Sequence, residues 1–127
     1  ALYYLSLLKQ QLQSLDLSPE VYSAQKYIKE NLHKKITLSE VAQYINVSES
    51  YFSHLFKKEA KINFVDYVNT CKIEAAQEML LHSSMRVNEI ASSLGFENPN
   101  DFNILFKRLT GKTPGNYREN LVNAGDV

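Results

Sequence analysis

The chain contains one unit written twice. Glu40-Val41-Ala42 recurs as Glu89-Ile90-Ala91 at an offset of 49 residues, and Phe52-Ser53-His54-Leu55-Phe56-Lys57 recurs as Phe102-Asn103-Ile104-Leu105-Phe106-Lys107 at an offset of 50. The second copy therefore carries one extra residue between its two blocks. Tyr67 and Tyr117 extend the match, each lying 11 residues after the last Phe of its copy. Whatever local structure satisfies one copy must satisfy the other, and two copies are too few for a solenoid, which needs a stack of neighbours.

Local signals in each copy read as a short helix, a tight turn and a second helix. Thr37, with Glu40 three residues on, is a capping-box start, and Leu38, Val41, Ala42 and Ile45 form its buried stripe. Asn46 tolerates a left-handed turn, and Ser48 caps the next helix, whose Phe52, Leu55 and Phe56 share one face. The first unit thus runs from about Thr37 to Ala60. In the second, Ile90, Ala91 and Leu94 line the first helix and Gly95 makes the turn. Asn98-Pro99 then places a cap before a proline at the first helical position, and Phe102, Leu105, Phe106 and Leu109 supply the core face. Arg86 stands where Thr37 stands and is a poor cap.

Between the units Asn63 caps a longer helix to about Leu81, with Phe64, Tyr67, Val68, Cys71, Ala75, Met79 and Leu80 near helical spacing, and Lys72 and Glu78 expected in solvent. Ser18-Pro19-Glu20 opens a helix to about Leu32, and Thr113-Pro114 opens a final one through Leu121. No stretch alternates with period two for long enough to make a strand, so the chain reads as all-α.

Composition narrows the function. Fourteen Lys and Arg against fourteen Asp and Glu leave no net charge, which excludes a wholly basic nucleic-acid tail, and 44% hydrophobic residues over 127 suffice for a packed core. The single cysteine forms no intramolecular disulfide, which points to a reducing compartment, the cytoplasm. No apolar run approaches the roughly 18 residues of a spanning helix, so no membrane role is expected. His33, His54 and His82 are scattered, Cys71 lies on the apolar side of the linker helix, and no Ser/His/Asp set, HExxH or phosphate-binding glycine loop occurs. The chain reads as a non-enzyme with no catalytic residue, metal or cofactor.

Close packing of two helices at a sharp angle asks for a small residue in the first, Gly or Asn in the turn and an apolar residue in the second, which is a helix-turn-helix. The second helix of such a unit fits the major groove of B-DNA. At 100° per residue, burying Phe52, Leu55 and Phe56 turns Ser50, Ser53, His54 and Lys57 outward; the second copy turns out Asn100, Asn103, Ile104 and Lys107. Asn suits the adenine edge and Ile can meet a thymine methyl. One polar outer face is common to amphipathic helices; two in register are not. A linker helix from Asn63 to Leu81 is roughly 28 Å long at 1.5 Å per residue, comparable with the roughly 34 Å between major-groove faces one turn apart. Charge is unevenly placed: from Asn100 to Arg118 the balance is +3, and Lys57, Lys58 and Lys61 cluster at the end of the first reading helix. Acidic Asp16, Glu20, Glu74 and Glu78 lie elsewhere. Helix N-termini at Thr37, Ser48, Asn98 and Thr113 offer backbone N–H groups to phosphates.

The stretch from about Ile36 to Arg118 resembles the DNA-binding domain of the arabinose-regulator (AraC/XylS) family of bacterial transcription regulators. The resemblance rests on Leu38-Ser39-Glu40-Val41-Ala42, on Ser48 to Glu59, on Ile90-Ala91-Ser92-Ser93-Leu94-Gly95-Phe96, on Phe102 to Lys107, and on Gly111-Lys112-Thr113-Pro114-Gly115-Asn116-Tyr117-Arg118. It implies a seven-helix domain of two helix-turn-helix subdomains joined by a long helix, each setting a reading helix in successive major-groove segments on one DNA face. It places base-reading residues at Ser50, Ser53, His54, Asn100, Asn103 and Ile104. With the charge and caps considered above, the phosphate set becomes Thr37, Ser48, Lys57, Lys58, Asn98, Lys107, Lys112, Thr113 and Arg118. Three positions depart from the family pattern: Lys61 where Gly is usual, Lys72 where Arg is common, and Ile104 where a basic or polar reader is frequent.

Leu5, Leu8, Leu12 and Leu15 recur at spacings of 3, 4 and 3, an a/d seam of about two heptads. This extra N-terminal helix either dimerises or packs on its own or an upstream domain, which the start at Ala1 leads us to expect. Family members carry a ligand-binding cupin-like domain or a phosphoryl-accepting receiver domain ahead of this part; the linking helix favours the receiver, and with it the output domain of a two-component response regulator. The expected division is 1–17 linking helix, 18–62 first subdomain, 63–81 linker helix, 82–121 second subdomain and 122–127 tail. Double-stranded DNA is the expected partner, with RNA polymerase a further candidate, and a helical protein-binding adaptor is the rival reading.

Overall fold

Most of the described helices begin where a side chain takes over an amide that has no partner within the helix. The computed structural model describes residues 17–125, so the expected helix bearing Leu5, Leu8, Leu12 and Leu15 lies outside the described residues. Among the described residues there are seven helices and no strand: α1 Pro19–Glu30, α2 Leu38–Tyr44, α3 Glu49–Ala60, α4 Phe64–His82, α5 Val87–Ser93, α6 Pro99–Thr110 and α7 Pro114–Gly125. Thr37 Oγ1 accepts from the Glu40 amide at 3.1 Å while Glu40 Oε1 accepts from the Thr37 amide at 2.8 Å, the reciprocal pair the sequence predicts. Ser48, Asn63, Asn98 and Thr113 each accept from an amide in the first turn of α3, α4, α6 and α7. Arg86 makes no side-chain cap bond to α5, as its chemistry foretells.

The described chain forms two units. The first holds the residues up to Glu30 together with Thr37–Asp66. In it α1 packs on α2 and α3, burying Val21, Ala24 and Ile28 with Val41, Ala42, Phe52, Phe56 and Phe64. Phe52 meets Phe56 and Phe64 edge-on, with ring centroids 5.6 and 5.7 Å apart. Tyr27 donates its hydroxyl to Glu40 Oε2 at 2.8 Å, tying α1 to the capping carboxylate of α2. The second unit holds Asn31–Ile36 and the chain from Tyr67 onward. Its core joins Ile73, Ala76 and Leu80 of α4 to Ile90, Ala91, Leu94, Phe102, Leu105 and Phe106, and Tyr117 packs edge-on against Phe106 with centroids 5.5 Å apart.

The repeat survives as geometry. Each first helix ends on a Schellman turn: Val47 and Asn46 donate to Ala42 and Gln43 in one copy, Phe96 and Gly95 to Ala91 and Ser92 in the other. The residue at the bend is left-handed both times, Asn46 at φ 61° and Gly95 at φ 80°. The second helix of each copy, α3 and α6, also ends left-handed, at Lys61 with φ 65° and Gly111 with φ 83°. Lys61, the position where the resembled pattern expects Gly, is thus one where a Cβ costs conformational energy.

Two expectations fail. Lys72, expected in solvent, is 5% exposed; its Nζ donates to the carbonyls of Leu32 at 2.7 Å, Lys34 at 2.8 Å and Leu94 at 2.5 Å. Three acceptors converge because the Asn31–Ile36 segment and the end of α5 both turn carbonyls toward it, a meeting that periodicity along α4 does not encode. Burial pulls this amine from 10.5 down to about 8, which keeps it an ammonium with three donors at neutral pH. Leu109, expected in the core, is 45% exposed. It falls on the last turn of α6, beyond the buried layer, and lines an open groove with Ile73, Thr110 and Tyr117.

Replacing Lys72 by Met leaves three carbonyls without their donor and is expected to lower the unfolding free energy by about 2–4 kcal/mol in urea titrations; an unchanged midpoint would show that water replaces the ammonium. At the left-handed positions, Lys61→Gly is expected to stabilise by about 0.5–1 kcal/mol and Gly111→Ala to destabilise by about 1 kcal/mol. Gly95→Ala costs distinctly more than Gly111→Ala, since an added Cβ would lie 2.6 Å from the Lys34 carbonyl carbon whereas at Gly111 it meets nothing within 4 Å. Equal losses at the two glycines would contradict that packing.

Candidate nucleic-acid interface

The roll of each reading helix about its axis decides which side chains reach solvent. In α3, Phe52 and Phe56 are completely buried, and Ser50, Ser53, His54 and Lys57 are all exposed. In α6, Phe102 and Phe106 are completely buried and Ile104 is 59% exposed, while Asn100 and Lys107 are exposed and Asn103 is half-buried. The predicted residues occupy matching register in the two copies, and all but Asn103, which is half-buried at the edge of the core face, are exposed.

Three of these residues have individual geometry. His54 Nδ1 lies 2.9 Å from the Ser50 carbonyl one turn back, which orients the ring along the exposed face. Asn103 Oδ1 is buried with no hydrogen-bond partner among the described residues. Pairing both of its polar atoms with an adenine edge requires the side chain to turn. Ile104 is a β-branched aliphatic side chain held in water, where exposure forgoes the roughly 1.5–3 kcal/mol that burial yields.

The cations divide into two kinds. Lys57 and Lys58 on the last turn of α3, Lys107 and Arg108 on the last turn of α6, and Lys112 in the following turn are exposed. Arg108 contributes to the charge that sequence reasoning counts without giving the residue a role; its signal is its place beside Lys107. Arg118 differs. Its Nε donates to the Leu80 carbonyl at 3.2 Å, Nη1 to Met85 at 2.6 Å and Nη2 to Ser83 at 3.1 Å, so the half-buried guanidinium closes the loop after α4. The oxygens of Thr37, Ser48, Asn98 and Thr113 are engaged as caps, leaving backbone N–H groups as what these helix starts can present. Cys71 is buried, in keeping with a core role. Burial and the neighbouring Cys71 push the Tyr67 phenol well above its usual range. Among the described residues no three His, Cys, Asp or Glu side chains gather as a metal site, and no helix is long and apolar enough to cross a membrane.

Comparison with known proteins gives concordant matches. A family profile described as a helix-turn-helix domain matches residues 41–120. The chain is 35% identical over 113 residues to the uncharacterized HTH-type transcriptional regulator YijO of Escherichia coli K12, covering 88% of this chain and 40% of that protein. It is similar to the C-terminal domain of AraT, a response regulator from Geobacillus stearothermophilus, with a TM-score of 0.80 and 34% identity over 82% of this chain and 87% of that one. It is also similar to the C-terminal domain of the two-component response regulator yesN from Fusobacterium nucleatum, with a TM-score of 0.72 and 35% identity over 75% of this chain and 93% of that one. The chain spans only 12% of the length of the Bacillus subtilis regulator YtdP and 40% of YijO.

The two kinds of cation separate in a stability measurement. Arg118→Ala, which strips donors from three carbonyls, is expected to lower the unfolding free energy by about 2 kcal/mol, and Lys107→Ala to leave it within about 0.5 kcal/mol. Equal effects would place the Arg118 guanidinium in solvent.

Proposed function

The chain belongs to the AraC-type helix-turn-helix family of transcription-regulator DNA-binding domains, and from that premise we propose that it recognises double-stranded DNA by sequence through α3 and α6. Each reading helix occupies one of two successive major-groove segments. Ser50, Ser53 and His54 face base edges in one, and Asn100, Asn103 and Ile104 in the other. Lys57, Lys58, Lys107 and Lys112 neutralise phosphates, assisted by backbone N–H groups at the helix starts of Thr37, Ser48, Asn98 and Thr113. Arg118 is left out of the phosphate set because its guanidinium holds three carbonyls of its own unit.

The observation that supports this reading best is the exposed face of α6. An isoleucine 59% exposed between two asparagines and a lysine is costly for a helix that only needs solubility, and it suits a groove that displays thymine methyls beside amide-readable edges. We assign the domain as the output part of a two-component response regulator, acting in the cytoplasm behind a receiver domain. The names of the AraT and yesN domains support this assignment.

Binding to a duplex selected from random sequence is expected to weaken steeply with salt, as counterion release requires. Lys107→Ala should weaken every duplex alike and reduce the salt slope by about 1. Salt-insensitive binding, or a loss confined to one sequence, would contradict these roles.

A further inference from the structure

The hydrogen bond that orients His54 also decides what the residue can read. Its Nδ1 lies 2.9 Å from the Ser50 backbone carbonyl. A carbonyl oxygen only accepts, so Nδ1 must carry the proton. In the neutral ring the other nitrogen, Nε2, is then a bare acceptor. His54 is exposed on the outward face of α3, between Ser53 and Lys57. In the major groove the exocyclic amino groups of adenine and cytosine are donors, whereas guanine and thymine present acceptors at the corresponding edge.

We propose that His54 is a specificity-determining residue that selects an exocyclic amino group, adenine N6 or cytosine N4, on the strand it contacts. The inference rests on the DNA-reading role of α3. The backbone of α3 supplies the selectivity: the Ser50 carbonyl holds one tautomer, so an imidazole that could otherwise read donors or acceptors reads donors alone. A guanine or thymine at that place would set lone pair against lone pair.

Two measurements at pH 8.5, above the ordinary imidazole range, test the proposal. Long-range proton–nitrogen correlation spectra of the free protein should show His54 Nδ1 protonated and Nε2 bare; the opposite tautomer overturns the inference. The base pair that His54 reads is then located in a selected duplex as the one whose preference disappears in His54→Ala. There, removing the exocyclic amino group of adenine or cytosine should weaken wild-type binding roughly three- to tenfold, as loss of one hydrogen bond does, and should leave His54→Ala binding unchanged. Deleting purine N7 at the same pair should have no effect on wild-type binding. Sensitivity to N7 instead, or a duplex bound specifically with no His54-dependent position, overturns the inference while DNA reading by the other residues stands. Failure of every duplex to bind would sink the functional assignment, and this inference with it, whatever the tautomer.

Discussion

Burial of two phenylalanines four residues apart governs this structure. Phe52 and Phe56 in α3, and Phe102 and Phe106 in α6, are fully enclosed, and truncating one such ring costs about 3–5 kcal/mol. A helix held at two points one turn apart cannot roll about its axis. Its remaining faces are then assigned: positions two before, one after, two after and five after the first Phe must look outward. That assignment puts Ser50, Ser53, His54 and Lys57 in solvent in one copy and Asn100, half-buried Asn103, Ile104 and Lys107 on the outer side in the other. Neither outer face needs its own instruction, because each is what the aromatic pair leaves over.

The turn before each reading helix sets the angle at which it leaves the unit. Both turns use a left-handed residue and the same pair of backbone hydrogen bonds, yet the two copies tolerate different residues. Asn46 suffices in the first. In the second the backbone of Lys34 sits against the bend, so that only glycine fits at position 95. The extra residue of the second copy lies between this turn and the Asn98 cap. That residue is Glu97; Phe96, which takes the place of Val47 after the bend, meets Phe102 edge-on with ring centroids 5.3 Å apart and lies 5.8 Å from the Lys72 ammonium. The aromatic wall thus comes from Phe96 standing where the first copy has Val47, and the one-residue insertion leaves the turn and the Asn98 cap intact.

What is legible in the sequence is what neighbours along the chain decide. The capping box of Thr37 and Glu40, the Asn98-Pro99 start and the weak start at Arg86 depend on residues within one turn, and so do the outward faces. Illegible are the places where distant carbonyls gather. Lys72 and Arg118 are charged, and charge alone reads as solvent-facing; both instead hold three carbonyls contributed by segments that no local pattern connects. Arg118 reads as a phosphate ligand only because it ends a cationic stretch. Leu109 keeps the spacing of the α6 core face, and the spacing cannot reveal that the buried layer ends one turn earlier.

If the aromatic pairs fix the faces that meet DNA, a duplex must perturb those faces first. Amide chemical-shift mapping on an isotopically labelled chain, titrated with a selected duplex, measures this residue by residue. The largest shifts are expected on α3 and α6, around Ser50 to Lys57 and Asn100 to Lys107, in a single saturable event. Shifts concentrated on α1 or on the Leu109 groove, with both reading helices unmoved, would contradict it.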